Sequence, residues 1–271
     1  MVQHKKLITS ALALVAVSIA GSALAHTTVV RKNTPNDWQV RHEIEGTGSS
    51  VSNISISHGC SSPGGSEARA VKAMAVVWPN GHDAVATRSD TGDSIDLADY
   101  IVGNPVMGAK SAQDKDIFKK IVQAVGPTPP FNSHGLRTED IRAFHYRNGR
   151  LQSNLFGLIP YRASYPSFHA DSCATKLTVK FGIANYCRHT LNTNKDDRAD
   201  IWFGRLTAKF DDPDVVSVGF WPQVDVVRDL ENNPLGESCG DGYAIEVTPS
   251  DESLDTYGPI KGFWPHDSAA K

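Results

Sequence analysis

A basic surplus is missing from this chain. Lys and Arg number 27 against 30 Asp and Glu, a formal net charge of -3, so nothing in the composition is suited to displacing counterions from a phosphate backbone, and nucleic acid is not an expected partner. Beyond residue 25 no apolar run reaches the roughly 18 to 20 residues that a membrane-crossing helix needs; the mature chain is expected to be soluble or peripherally attached, with no transmembrane segment. Ser57-His58 are sequence neighbours rather than an assembled triad. This weighs against a hydrolase, and no enzymatic activity is expected. C-x2-C and H-x3-H pairs are absent as well, which disfavours a zinc knuckle and a pair of ligands on one helix face.

What is present begins with an export signal. His4, Lys5 and Lys6 precede an apolar run from Leu7 to Ala20, followed by Gly21-Ser22-Ala23-Leu24-Ala25, the layout of a secretory signal with an A-x-A type cleavage site. Cleavage after Ala25 leaves His26 as the first residue of the mature protein. Residues 1–25 are therefore expected to be a signal peptide and 26–271 a single β-rich domain, located in the periplasm, at the outer cell surface or in the medium. The four cysteines, Cys60, Cys173, Cys187 and Cys239, lie in the exported part, where an even count reads as two disulfides. Spacing leaves all three connectivities open.

The mature chain reads mainly as short strands. From Asn53 to Ser57 apolar and polar residues alternate, with Ile54 and Ile56 on one side and Val51 the apolar misfit. Ala70 to Trp78 is apolar and ends at Pro79-Asn80-Gly81, and Leu177 to Ile183 places Leu177, Val179, Phe181 and Ile183 on one face. Val215 to Trp221, Gln223 to Val227 and Tyr243 to Val247 are further strands. In 112–122 the spacing of Ile117, Phe118, Ile121 and Val122 predicts a short amphipathic helix, closed by the rigid segment Gly126-Pro127-Thr128-Pro129-Pro130. The fold class expected is mainly β: an antiparallel β-sandwich with a short helix and long loops.

Chemistry concentrates on histidine. A mature N-terminal His26 offers a metal its free α-amine and its imidazole Nδ1 in one chelate ring, a nitrogen-donor arrangement that suits copper. His58 follows the strand ending near Ser57 and stands two residues from Cys60, so it is either a ligand held at a sheet edge or a side chain that hydrogen-bonds its own turn. Pairing of the first strand beside it would bring both imidazoles and the α-amine to one edge. His42, His82, His134, His145, His169, His189 and His266 complete the mature set, and most are expected at the surface. The competing reading is a disulfide-stabilised structural or adhesion module of the cell surface that carries no metal.

Two groups of segments carry a family resemblance. Ala25-His26-Thr27-Thr28-Val29 followed by Ile56-Ser57-His58-Gly59-Cys60 resembles the YcnI-like copper-binding proteins. Gln113–Lys120, Gly149–Gln152, Ser172–Leu177, Ala184–Cys187, Arg228–Leu230, Asn233–Leu235 and Ser238–Gly240, in that order, resemble the methanotroph surface-associated copper-binding proteins of the MopE/CorA type. The resemblance implies an exported copper binder of β-rich fold with no catalytic turnover. It would act in copper acquisition or handling, with an envelope copper-handling protein as a possible partner. It transfers His26 and His58 as metal ligands. In the methanotroph group a tryptophan oxidised to kynurenine assists two histidines; here Trp264-Pro265-His266 is the sole Trp-x-His, with Trp78 near His82 and the imidazole of His145 as other possible neighbours. The YcnI-like pattern further implies the pairs Cys60 with Cys187 and Cys173 with Cys239.

Overall fold

The computed structural model describes residues 27–29, 41–60, 68–81, 83–113, 116–127 and 139–266. The expected signal segment, His26, His82 and His134 lie outside the described residues.

Alternation of side chains organises the first sheet. In β3 (Ser50–Ile56), Ser52, Ile54 and Ile56 are buried while Val51 faces solvent. β3 pairs antiparallel with β1 (Thr28–Val29) on one side and β10 (Gly157–Ser164) on the other, and β10 pairs with β7 (Met107–Ser111). A five-stranded sheet runs in the order β2 (Arg41–Ile44), β16 (Gln223–Val227), β12 (Ala174–Lys180), β17 (Tyr243–Thr248), β5 (Val85–Arg88). A six-stranded sheet runs β15 (Val216–Val218), β14 (Ala199–Gly204), β13 (Gly182–Tyr186), β4 (Ala73–Val77), β9 (Glu139–Gly149), β8 (Phe118–Pro127). β6 (Ile101–Val102) and β11 (Ser167–Phe168) form a small ribbon.

Inward-facing residues of the three larger sheets meet in one core, with Ile54, Ile159 and Tyr161 from the first, Leu177, Val179, Val226 and Ile245 from the second, and Met74, Val76, Phe144 and Tyr146 from the third. Trp78 lies fully buried among Phe144, Tyr161 and Phe181, at ring distances of 5.6, 5.4 and 4.8 Å. The fold is thus a mainly β sandwich. Most pairings are antiparallel, but β2 with β16, β12 with β17 and β14 with β15 are parallel. Side-chain alternation reports which face is buried, not the direction of the neighbouring strand.

The six-stranded sheet is covered on both faces, which explains why β4 is apolar without alternation and buried at every position. Its outer face presents Ala73, Ala75, Ala143 and Ala184, whose small side chains leave room for Leu254, Ile260, Phe263 and Trp264 of the C-terminal segment. The helix α1 (Asp251–Tyr257) starts that segment, with Ser250 as its cap accepting from the Ser253 N–H at 3.0 Å.

Three sequence expectations change. The segment 112–122 is not helical: Phe118 onward is β8, paired antiparallel with β9 from Phe118–Gly149 to Pro127–Glu139. The apolar spacing fits a helix, yet pairing of the β-branched Ile121, Val122 and Val125 along a long neighbour prevails, leaving Val122 and Val125 exposed on an edge strand. The expected strand Leu177–Ile183 is two strands. Phe181 separates them, and the chain leaves the five-stranded sheet for the six-stranded one, so the alternation continues because both halves face the same core. Within 215–221 only Val216–Val218 is strand.

Candidate functional site

His58 sits where β3 ends and is half-buried. Its Nδ1 lies 2.6 Å from the Gly59 carbonyl. A carbonyl only accepts, so Nδ1 carries a proton, and in the neutral imidazole this leaves the lone pair on Nε2, where a metal could bind. The next residues are pinned. Cys60 and Arg69 exchange backbone hydrogen bonds of 3.1 and 2.7 Å, and a Cβ on Gly59 would stand 1.8 Å from the Arg69 carbonyl oxygen, so this close approach requires glycine. Cys60 then joins Cys187 in a disulfide with a Cα–Cα distance of 6.0 Å; Cys173 joins Cys239. These are the two pairs that the YcnI-like pattern implies.

Asp200 on β14 is the acidic neighbour of His58. Burial raises its carboxyl to about 6, and the charge of His58 acts in the opposite direction. Across the ladder Asp200 stands opposite Asn185 of β13. Asn185 is buried, donates from Nδ2 to Thr27 Oγ1 at 2.9 Å, and has no hydrogen-bond partner for Oδ1 among the described residues. Thr27, itself buried, leads into β1, whose Thr28 is in register with Ser55 of β3. One corner of the fold therefore holds His58, Asp200, Asn185 and Thr27. Nitrogen and carboxylate donors of this kind fit a divalent first-row ion such as copper. Among the described residues no three His, Cys, Asp or Glu side chains gather as a metal site.

Four other described histidines are engaged elsewhere or stand on another sheet. His145, on β9, has Nε2 2.6 Å from the Tyr257 carbonyl on the sheet's outer face, and burial lowers its pKa. His189 stacks on Phe263 at 4.2 Å, His169 reaches the Ala98 carbonyl at 3.1 Å, and His42 lies on β2 of the five-stranded sheet. Trp264 of the Trp-x-His motif is buried in the outer cluster under the Arg198 guanidinium, 4.3 Å from its ring, and Trp78 is core. The tryptophan on the same strand face as Asp200 is Trp202, two residues along β14. Sequence reading missed Asp200 and Asn185. The strand Ala199–Gly204 carries one acid among apolar residues, an interruption that is the only local signal.

A salt-bridge cluster ties the same two chain segments as the Cys60–Cys187 bond. Asp197 accepts from Arg188, which follows Cys187, at 2.6 Å through Nη2, and also from Arg188 Nε and from Arg69 Nε. The Arg188 hydrogen bond foremost, then Arg69, holds the Asp197 carboxyl down at about 2. A folded-state value below the unfolded one of about 3.9 gives stability that is present above about pH 4 and is lost as pH falls from there toward 2. Asp197→Asn is expected to cost about 1 kcal/mol at neutral pH, a value reduced for the exposure of both arginines. Urea midpoints of the two proteins should converge by about pH 2; parallel curves across that range would refute the assignment.

No protein-family model matches the chain, and no curated protein matches it. Among solved structures it is similar to an uncharacterized protein from Nocardia farcinica described as having an immunoglobulin-like fold, at 16% identity and a TM-score of 0.32 over 68% of this chain and 91% of that one. No helix among the described residues is long and apolar enough to cross a membrane, and two disulfides are compatible with an oxidising, extracytoplasmic location.

Proposed function

We propose that this chain is an exported copper-binding protein that acquires or handles copper at the cell envelope. In this reading the ion is held by His58 Nε2, the Asp200 carboxylate, and the α-amine and imidazole of a mature N-terminal His26. The observation that carries it is the seating of Thr27 against Asn185, opposite Asp200 in the ladder and beside His58. A residue bonded to Thr27 has its Cα only about 3.8 Å from that of Thr27. The resemblance of the N-terminal segments to YcnI-like proteins and of the later segments to the MopE/CorA type supports the same assignment. An envelope copper-handling protein is the partner that this role calls for. No role falls to kynurenine at Trp264, which is packed in the outer cluster.

When bound, copper supplies a Lewis-acidic, redox-capable centre. The protein's own part is to fix the His58 tautomer through Gly59 and to hold Asp200 in a poorly solvated position where a cation compensates its charge. Protons compete for the imidazoles, so copper retention should fall below about pH 6.

Equilibrium dialysis of mature protein against copper tests the reading. One equivalent is expected to be retained, to be lost in His26→Ala and His58→Ala, and to bind about a hundredfold more weakly when one residue is added before His26, because that removes only the chelating amine. If protein that begins at His26 retains no copper, the second reading stands: a disulfide-braced surface module in which the bond from His58 to Gly59 merely closes a turn.

A further inference from the structure

Arg69, Lys72, Arg150, Arg188 and His189 line one cleft of about 700 Å³ beside Cys187. We propose that this cleft binds a small multivalent oxyanion of the pyrophosphate or phosphate-ester class. The chain as a whole is negatively charged, yet four permanent cations share this wall. Their mutual repulsion raises the energy of the empty cleft and is relieved by an anion of more than one charge.

The only carboxylate that pairs with any of them among the described residues is Asp197, which Arg69 and Arg188 share. Lys72 and Arg150 have no ion-pair partner among the described residues. The cleft therefore keeps a net positive charge after its internal pairing is complete.

The geometry favours a phosphate over a diffuse counterion. Asp197 engages Arg69 through Nε and Arg188 through Nε and Nη2. Arg188 Nη1 and the terminal nitrogens of Arg69 have no acceptor among the described residues. Two guanidiniums are thus oriented in advance, which lowers the ordering cost of forked hydrogen bonds to an oxyanion. The floor is equally fixed: Lys72 donates its N–H to the Tyr186 carbonyl at 2.7 Å and accepts from the Gly149 N–H at 2.8 Å, joining β13 to the turn that carries Arg150. A concave wall of this size admits a compact anion; it is not the extended basic stripe that a polymer backbone requires.

Isothermal titration of the metal-free mature protein with inorganic pyrophosphate, at constant ionic strength, tests the proposal. Saturable binding of one equivalent is expected, with inorganic phosphate and sulfate weaker. Lys72→Gln with Arg150→Gln should weaken pyrophosphate by about tenfold or more, and Arg188→Lys, which keeps the charge and removes the fork, should weaken it as well. Absence of saturable binding overturns the proposal, as does unchanged affinity in a double variant that melts like the parent. Should the double variant melt earlier, the single Arg150→Gln, altered at an exposed side chain, provides the comparison, and unchanged affinity there is equally fatal. Copper retention should be the same in all these proteins, so this proposal and the copper assignment fail independently.

Discussion

A Cys60→Ala, Cys187→Ala double variant is expected to lose about 5 kcal/mol of stability, the larger of the two disulfide effects in this protein. The bond closes a loop of 127 residues, against 66 for Cys173–Cys239. Loop-closure entropy grows only logarithmically with length, so the second bond should be worth about 0.6 kcal/mol less. Location widens the gap. Cys60 and Cys187 are fully buried in the main core, so alanine also leaves a small void there, whereas Cys239 is only half-buried, at the end of a single 3-10 turn. Guanidinium unfolding of the two double variants provides the comparison, and a smaller loss for Cys60/Cys187 than for Cys173/Cys239 would contradict the argument. The same variant should bind copper more weakly even where it is folded, because His58 is anchored through Cys60.

Arg228→Met is expected to cost about 4 kcal/mol or more, lowering the melting temperature by roughly 10 °C. Arg228 is almost wholly buried, and among the described residues it pairs with no carboxylate. Its guanidinium donates instead to the carbonyls of His169, Ala170, Ser172, Ala174, Asn233 and Pro234 and to Asn233 Oδ1. It thereby ties the turn before β12 to the turn after β16. Methionine of similar length leaves those buried oxygens without donors, and each unsatisfied group carries a desolvation penalty. Glu45 completes the knot by accepting from Asn233 Nδ2 and from the backbone N–H groups of Asp229 and Phe168. Arg228→Lys keeps the charge yet should recover less than half of the loss, since one ammonium cannot span carbonyls on two turns. Hydrogen exchange at 169–174 and 228–234 should accelerate in both variants; a change confined to other regions would show that the guanidinium is not the tie.

Much of the architecture was readable from residue order. Ile54 and Ile56 against an exposed Val51 located β3, and the apolar run ending at Trp78 located β4. Strand direction was not readable, because a parallel neighbour such as β17 beside β12 leaves no trace in the local pattern. The misassigned helix at 112–122 shows the same limit, since Ile121 and Val122 satisfy either period and only the partner β9 decides. At the candidate site His58 was legible from its place between a strand end and a cysteine. Asp200 was not, because its meaning depends on a pairing with Asn185 and on a neighbour more than a hundred positions away in sequence. Arg228 was equally silent, as an arginine amid polar residues looks like a solvated one until its acceptors are known.

The interleaved order of the two disulfides has a consequence for maturation. A chain that emerges N-terminus first presents Cys173 to Cys60 before Cys187, the native partner, has appeared. The earliest crosslink open to the nascent protein is therefore a wrong one, and reaching the native pairs from it requires thiol exchange, a step of seconds to hours that isomerases accelerate. Yield in a host that lacks such an isomerase should be limited by scrambling rather than by translation.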